Sequence, residues 1–186
     1  MCERDFVDEV AARWSEERPE LDVSPIQILD RVLRIGQFVV GRAEGVCREQ
    51  RINFWGFAVL TALRRAGVPY QLTPTALYRS GMVTSGAVTK RVGELERQGL
   101  VERVPDPDDG RSVLVRLTEQ GRRVVDATIP AYLDMQREVL SALDEGERLQ
   151  LGTLLRTLLQ GLEGSAAPDR SVDVLPVDAA AQGGVA

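Results

Sequence analysis

Apolar residues recur at helical spacing over most of the chain and switch to strict alternation in one short region. Residues 4–18 put Phe6, Val7, Val10, Ala11 and Trp14 on one side, which predicts an amphipathic helix ending before Pro19. Ser24 and Pro25 then supply a cap and a first-turn proline. From there Ile26, Leu29, Val32, Leu33, Ile35, Gly36, Val39 and Val40 carry a second helix of about 25 residues. A helix that long outruns a small domain core, so it is expected to support both the first helix and a partner subunit. Phe54, Trp55, Phe57, Val59, Leu60 and Leu63 mark a third helix, which stops at Arg64-Arg65-Ala66-Gly67 with cations in its last turn and glycine at its end.

The stretch Leu72 to Leu117 organises the remainder. Thr73 can accept the first free amide hydrogens of a helix, and Pro74 at the next position has no amide hydrogen to leave unpaired. That helix is expected to stop by Gly81. Another begins at Thr84-Ser85, where Val88, Val92 and Leu95 draw one apolar stripe. Its opposite face carries Gly86, Lys90, Gly93 and Arg97, with Thr89 beside them and Ser85 between face and stripe. Small, polar and cationic groups of this kind suit a DNA groove. After Gly99 the period becomes two, through Val101 and Val104 and then Val113, Val115 and Leu117, with turn material from Pro105 to Gly110 between the arms. The predicted fold class is therefore mainly α with a small β-hairpin wing, a winged helix-turn-helix joined to a helical dimerisation region.

Leu117-Thr118-Glu119-Gln120-Gly121 starts a further helix through Val124, Val125, Ile129, Tyr132, Leu133, Met135 and Val139, with a kink expected at Pro130. A short last helix follows, carrying Leu149, Leu151, Leu154, Leu155, Leu158, Leu159 and Leu162 on nearly all sides. One chain cannot cover such a surface, and surplus apolar helices at both ends imply a homodimer. The expected organisation is an N-terminal helix plus long dimerisation helix (1–50), a DNA-binding domain (51–120) and dimerisation helices (121–163). A tail (164–186) without periodicity or caps is expected to be disordered.

Composition narrows the chemistry. The chain has no His and two Cys, Cys2 and Cys47, so neither a metal site nor a cofactor is expected. No nucleophile elbow and no phosphate-cradling glycine loop occurs, which argues against an enzyme. Without a long apolar run or a basic-then-apolar leader, the reading is a soluble cytoplasmic protein with no membrane partner. The net charge of −5 is segregated: residues 51–123 hold 12 Arg or Lys against 7 Asp or Glu, and the remainder holds 11 against 21. A basic segment on an acidic body fits a protein whose body never meets phosphate.

Thr84 to Arg103, with its leucine-glutamate to glycine-leucine-valine run, and Asp106 to Gly121, with its Asp-Gly-Arg wing and following Leu-Thr, resemble the MarR family of transcriptional regulators. The resemblance implies a homodimer whose interleaved ends set two reading helices about one turn of double-stranded DNA apart, on a pseudo-palindrome. Direct contacts are expected from Ser85, Gly86, Thr89 and Lys90, with Arg111 extending from the wing tip into a narrow minor groove. Thr75, Arg79 and Arg97 are candidate phosphate contacts.

Arg13 to Pro25 and Leu63 to Pro74 look like the urate-responsive PecS and HucR type branch of that family, extending the similarity over residues 5–162. The resemblance implies a small anionic effector bound between the first helix and the reading domain, with Trp14, Arg91 and Arg103 at the matching ligand positions. Ala58 stands where the branch has an aspartate, and Thr89-Lys90-Arg91 where Thr-Asn-Arg is frequent. Losing that carboxylate removes an interaction of roughly 1.5–3 kcal/mol from a polar ligand, leaving a urate-like or a phenolic effector as readings. On the helical wheel Arg91 lies about 60° from Val88, at the border of the stripe. There it faces either an anionic ligand or a structural carboxylate such as Asp30 or Glu94; Trp14 is either a stacking plate or a packing anchor. Two other readings remain: a thiol-oxidation switch at Cys47, and a winged protein-interaction module without DNA binding.

Overall fold

Asp5 begins the first helix. In the computed structural model, which describes residues 4–80, 85–107, 109 and 112–165, helix α1 (Phe6–Glu17) is capped by Asp5. The side chains of residues 85–87 and 165 lie outside that description, as does the expected tail beyond Ser165. The Asp5 carboxylate accepts the Val7 and Asp8 amide hydrogens at 2.8 and 3.0 Å, and Asp8 accepts the Asp5 amide hydrogen at 3.0 Å. This reciprocal box satisfies donors that a helix start leaves free.

The chain divides into two compact units, Met1–Gly45 and Val46–Ala186. The first holds α1 and most of the long helix α2 (Ser24–Glu49), whose 26 residues match the length expected. Arg31 of α2 grips the α1 cap, with Nε 2.8 Å from Asp5 and Nη2 2.8 Å from Asp8. Its Nη1 donates to the carbonyl and side-chain oxygens of Gln27, both at 2.6 Å. The Arg31 hydrogen bond holds the Asp5 carboxyl below its ordinary value of 3.8; the Asp5 amide, and then Arg31, do the same for Asp8. Carboxyl groups whose values are lower folded than unfolded stabilise the folded form above the unfolded value. That contribution is lost as pH falls through the folded ones. In a Trp55→Phe chain the Trp14 emission should therefore hold steady down to about pH 4 and shift below it. Arg31→Met should blunt that step, and an identical acid transition in both chains would discard the clasp.

The second unit begins with the end of α2, where Cys47 is 0% exposed, and continues into α3 (Phe54–Arg65), capped by Asn53 accepting the Gly56 amide hydrogen at 2.7 Å. Strand β1 (Gln71–Leu72) precedes α4 (Pro74–Arg79), whose cap is Thr73 as expected. Then come α5 (Ser85–Arg97), β2 (Val101–Pro105), β3 (Val113–Leu117), α6 (Glu119–Val139) and α7 (Glu145–Ser165). Phe57, Leu60 and Leu63 of α3 form the centre of the core with Leu77, Val92, Val115 and Val125.

The wing is larger than a hairpin. Strand order is β1-β3-β2, antiparallel throughout, with Val101 opposite Leu117 and Gln71 opposite Arg116. Two residues are too few to show alternation, so β1 left no trace in the hydrophobic pattern. Helix α6 continues through Pro130. Helix α7 has 21 residues instead of being short, and opens on a second capping box in which Asp144 and Glu147 accept one another's amide hydrogens at 2.8 and 2.9 Å. Every described side chain on α7 is exposed. Among the described residues no helix is long and apolar enough to cross a membrane.

Candidate nucleic-acid interface and effector cleft

Helix α5 is oriented as its stripe dictates. Val88, Val92 and Leu95 are buried, and Thr89, Lys90 and Arg97 are exposed on the other side. Its end is fixed by backbone geometry: Gly99 adopts φ 71°, and its amide and that of Leu100 donate to the carbonyls of Glu96 and Leu95, both at 2.9 Å. This pairing needs a left-handed residue at Gly99, which glycine supplies without strain. Helix α4 presents Thr75 and Arg79, both exposed. Ser85 and Gly86 occupy the first turn of α5, their side-chain surroundings outside the described set; Arg111 lies outside it altogether.

The candidate ligand residues have these surroundings. Arg91 is half-buried and pairs with Glu94 at 3.4 Å, so of the two structural carboxylates considered the structure supplies Glu94. Its Nε is nevertheless buried without a hydrogen-bond partner among the described residues. Arg103 pairs with Glu96 at 3.2 Å, tying β2 to α5. Trp14 belongs to the first unit, where it is 48% exposed on α1. Cys47 is a fully buried thiol, an environment that shields it from oxidants and weakens the redox reading.

Sequence reasoning missed a cleft of about 500 Å³ lined by α3, Ser80 and α6. Phe54, Phe57 and Ala58 give it an apolar wall with Ile129 and Leu133, while Thr61, Arg64, Arg65, Ser80 and Tyr132 bring polar atoms. Among the described residues that line it there is no carboxylate, and Trp14, Arg91 and Arg103 are not among them. The rings of Phe57 and Tyr132 meet edge to face at 5.2 Å. Burial first, and then the nearby Cys47, pushes the Tyr132 phenol above its ordinary value, so it stays a neutral hydrogen-bond donor. Arg64 is engaged by Asp126 at 2.8 Å and lies 5.0 Å from the Tyr70 ring centre. Arg65 donates from Nε to the Thr61 carbonyl at 3.4 Å and has no carboxylate partner among the described residues. The available signal was the spacing Phe54, Phe57/Ala58, Thr61, Arg65, which threads polar groups onto an otherwise apolar helical stripe.

A family model described as MarR family matches residues 53–112, which contain α3, the reading pair and the first arm of the wing. The regulator PecS of Dickeya dadantii is 29% identical over 149 residues, covering 80% of this chain and 90% of PecS. The multiple antibiotic resistance protein MarR of Salmonella typhimurium is 34% identical over 105 residues, 55% of this chain and 70% of that protein. A solved structure of Bordetella bronchiseptica BpsR, concerned with regulation of its DNA binding by 6-hydroxynicotinic acid, superposes with TM-score 0.64. It is 25% identical and covers 72% of this chain and 98% of that one. PecS is named as a transcriptional regulator, and the BpsR structure concerns regulation of DNA binding. With the buried stripe of α5 and the three-stranded wing in place, the chain belongs to the MarR family of winged-helix transcriptional regulators.

Proposed function

We propose that this regulator acts in the cytoplasm as a homodimeric repressor on a pseudo-palindromic operator and is released by a small anionic aromatic effector. The observation that carries the DNA reading is α5 itself, whose Thr89, Lys90 and Arg97 are exposed opposite a fully buried stripe. Thr89 and Lys90 are positioned for base edges with Ser85 and Gly86. Arg97, Thr75 and Arg79 are assigned to phosphates, and Arg111, outside the described residues, is assigned to DNA on the family resemblance alone. The operator protein then depends on a second copy for the other half-site.

The effector reading rests on the α3–α6 cleft. It has aromatic and apolar walls, a neutral phenol donor in Tyr132 and two arginines, with no acidic lining residue among those described. Arg64 is paired with Asp126, and Arg65 is without a carboxylate partner among the described residues. Such a lining favours a flat ring carrying its own negative charge. Ala58 sits in this wall, so the carboxylate expected of the urate-responsive branch is missing from the cleft as well. BpsR, whose DNA binding is described as regulated by 6-hydroxynicotinic acid, offers a ring-acid precedent. Occupancy of a cleft shared by α3 and α6 would shift the population toward a dimer whose reading helices no longer match successive major grooves.

The test is fluorescence anisotropy of the full chain on labelled duplex from its own upstream region, across salt, with urate and aromatic acids added. Tight binding that weakens with salt and is relieved by an aromatic acid is expected. Arg65→Ala should raise the concentration needed for release about tenfold, the loss of one charge-assisted bond. Arg91→Ala should leave it nearly unchanged if the effector occupies the cleft. The reverse ranking would move the effector to Arg91 and to the site that the branch resemblance implies.

A further inference from the structure

The turn that closes α5 and the first turn of α6 meet backbone to backbone at Leu100 and Gly121, with the Thr118 side chain bonded to both. The Thr118 amide donates to the Leu100 carbonyl at 3.1 Å. Its hydroxyl lies 2.7 Å from the Gly99 carbonyl and 3.1 Å from that of Leu100, so its single proton is directed at the carbonyls that follow α5. The same hydroxyl oxygen accepts the Gly121 amide hydrogen at 3.0 Å, capping α6. One side chain thus starts one helix and anchors the end of another. Gly121 completes the junction. A Cβ there would stand 2.9 Å from the Leu100 carbonyl carbon and from Leu117 Cδ1, and nearer still to the carbonyl oxygen, so helix backbone lies directly on turn backbone. Gly99 and Leu100 also close the end of α5, and Val101 and Leu117 pair across the base of the wing.

We infer that Thr118 and Gly121 are positioning residues that lock the reading helix to α6, so that the placement of α6 sets where α5 meets DNA. This rests on the proposed reading of α5 as the DNA-contacting helix, because neither residue touches DNA in it. A cap alone requires only a hydroxyl bonded to the Gly121 amide. The additional bonds to Gly99 and Leu100, and the backbone contact at Gly121, are what make the junction a joint between two helices. An adjustment of α6 is passed to the turn that ends α5 through these bonds and through the backbone contact at Gly121.

The test compares Thr118→Val, which keeps the shape and removes the hydroxyl, with Thr118→Ser, which keeps the hydroxyl. Both are made in the full chain. Spin labels are placed at Arg97→Cys on α5 and Arg137→Cys on α6, with Cys2→Ser and Cys47→Ala, and labelled protein is diluted with unlabelled. The expected result is one narrow distance in the parent and in Thr118→Ser, and a broadened or displaced one in Thr118→Val. Without labels, Thr118→Val should bind the upstream duplex at least tenfold more weakly while binding a scrambled duplex within twofold of the parent; Thr118→Ser should retain the parent ratio. A purely structural role would lower stability and leave the specific-to-scrambled ratio of the folded protein unchanged. An unchanged distance distribution, or a changed one with an unchanged ratio, overturns the joint. If the parent itself does not distinguish the two duplexes, the operator reading fails there, and the distances alone decide the joint.

Discussion

Removing α7's leucine surface should convert the protein to a monomer and cost at least a hundredfold in affinity for its operator. Leu154 and Leu158 are 57% and 48% exposed on a helix whose described side chains are all exposed, beside Leu151, Leu155, Leu159 and Leu162. Contiguous apolar surface of this extent is uncommon on a protein that stays alone. With Leu154→Glu and Leu158→Glu together, each charge would need desolvation in an apolar interface, so the dimer should dissociate at micromolar concentration. Tethering two reading helices gains roughly 10²–10⁴ over one by effective concentration, and that gain goes with the dimer. The phosphate contacts counted by the salt dependence should fall to about half. Light scattering coupled to gel filtration gives the mass and anisotropy gives the slope. A double variant that retains twice the chain mass and parental affinity would remove α7 from the dimer and leave its leucines unexplained.

Phe57→Ala should lower the unfolding free energy by about 3–5 kcal/mol, a large part of the roughly 5–15 kcal/mol that holds an ordinary domain together. Phe57 is 2% exposed at the centre of α3, edge-on to Tyr132 of α6. Truncation loses the transfer energy of the ring and leaves a void that the surrounding helices only partly fill. The same residue lines the α3–α6 cleft, so the variant enlarges that space as it weakens the core. Phe57→Leu, closer in volume, should cost well under half as much. Urea unfolding at fixed protein concentration measures both. Equal midpoints for Phe57→Ala and the parent would mean that the α3–α6 packing contributes little to the fold.

Much of the architecture was legible because helix ends leave local chemical signatures. Thr73 with Pro74 and Thr118 with Gly121 each announce a start within a few residues, and the observed caps fall on Thr73 and Thr118. Val88, Val92 and Leu95 fixed the buried side of α5 by spacing alone, and with it the exposure of Lys90 and Arg97. The surplus leucines of α7 were equally plain, although the helix carries them further than the pattern near Asp144 suggested. The site was less legible. The wheel placed Arg91 at the border of the stripe and left its partner open, and only the tertiary structure selected Glu94 and left Nε without a partner among the described residues. The cleft was missed because Thr61 and Arg65 of α3 acquire meaning only opposite Tyr132 and Leu133 of α6, some seventy residues later.

The sequence by itself determined the order of the helices and of the two hairpin strands, the face that α5 turns outward, the family and the surplus apolar surface at the chain's end. Those properties follow from period, cap chemistry and composition, all of which act over a few neighbouring residues. Tertiary structure alone decided that Gln71 and Leu72 join β3, that Arg31 grips the two carboxylates capping α1, that α3 and α6 enclose a cleft without acidic groups, and that Thr118 bonds to the end of α5. Each of these joins residues distant along the chain through a hydrogen bond, an ion pair or a packed surface. Such pairings depend on where folding brings the backbone and leave no periodic mark in the residues that form them.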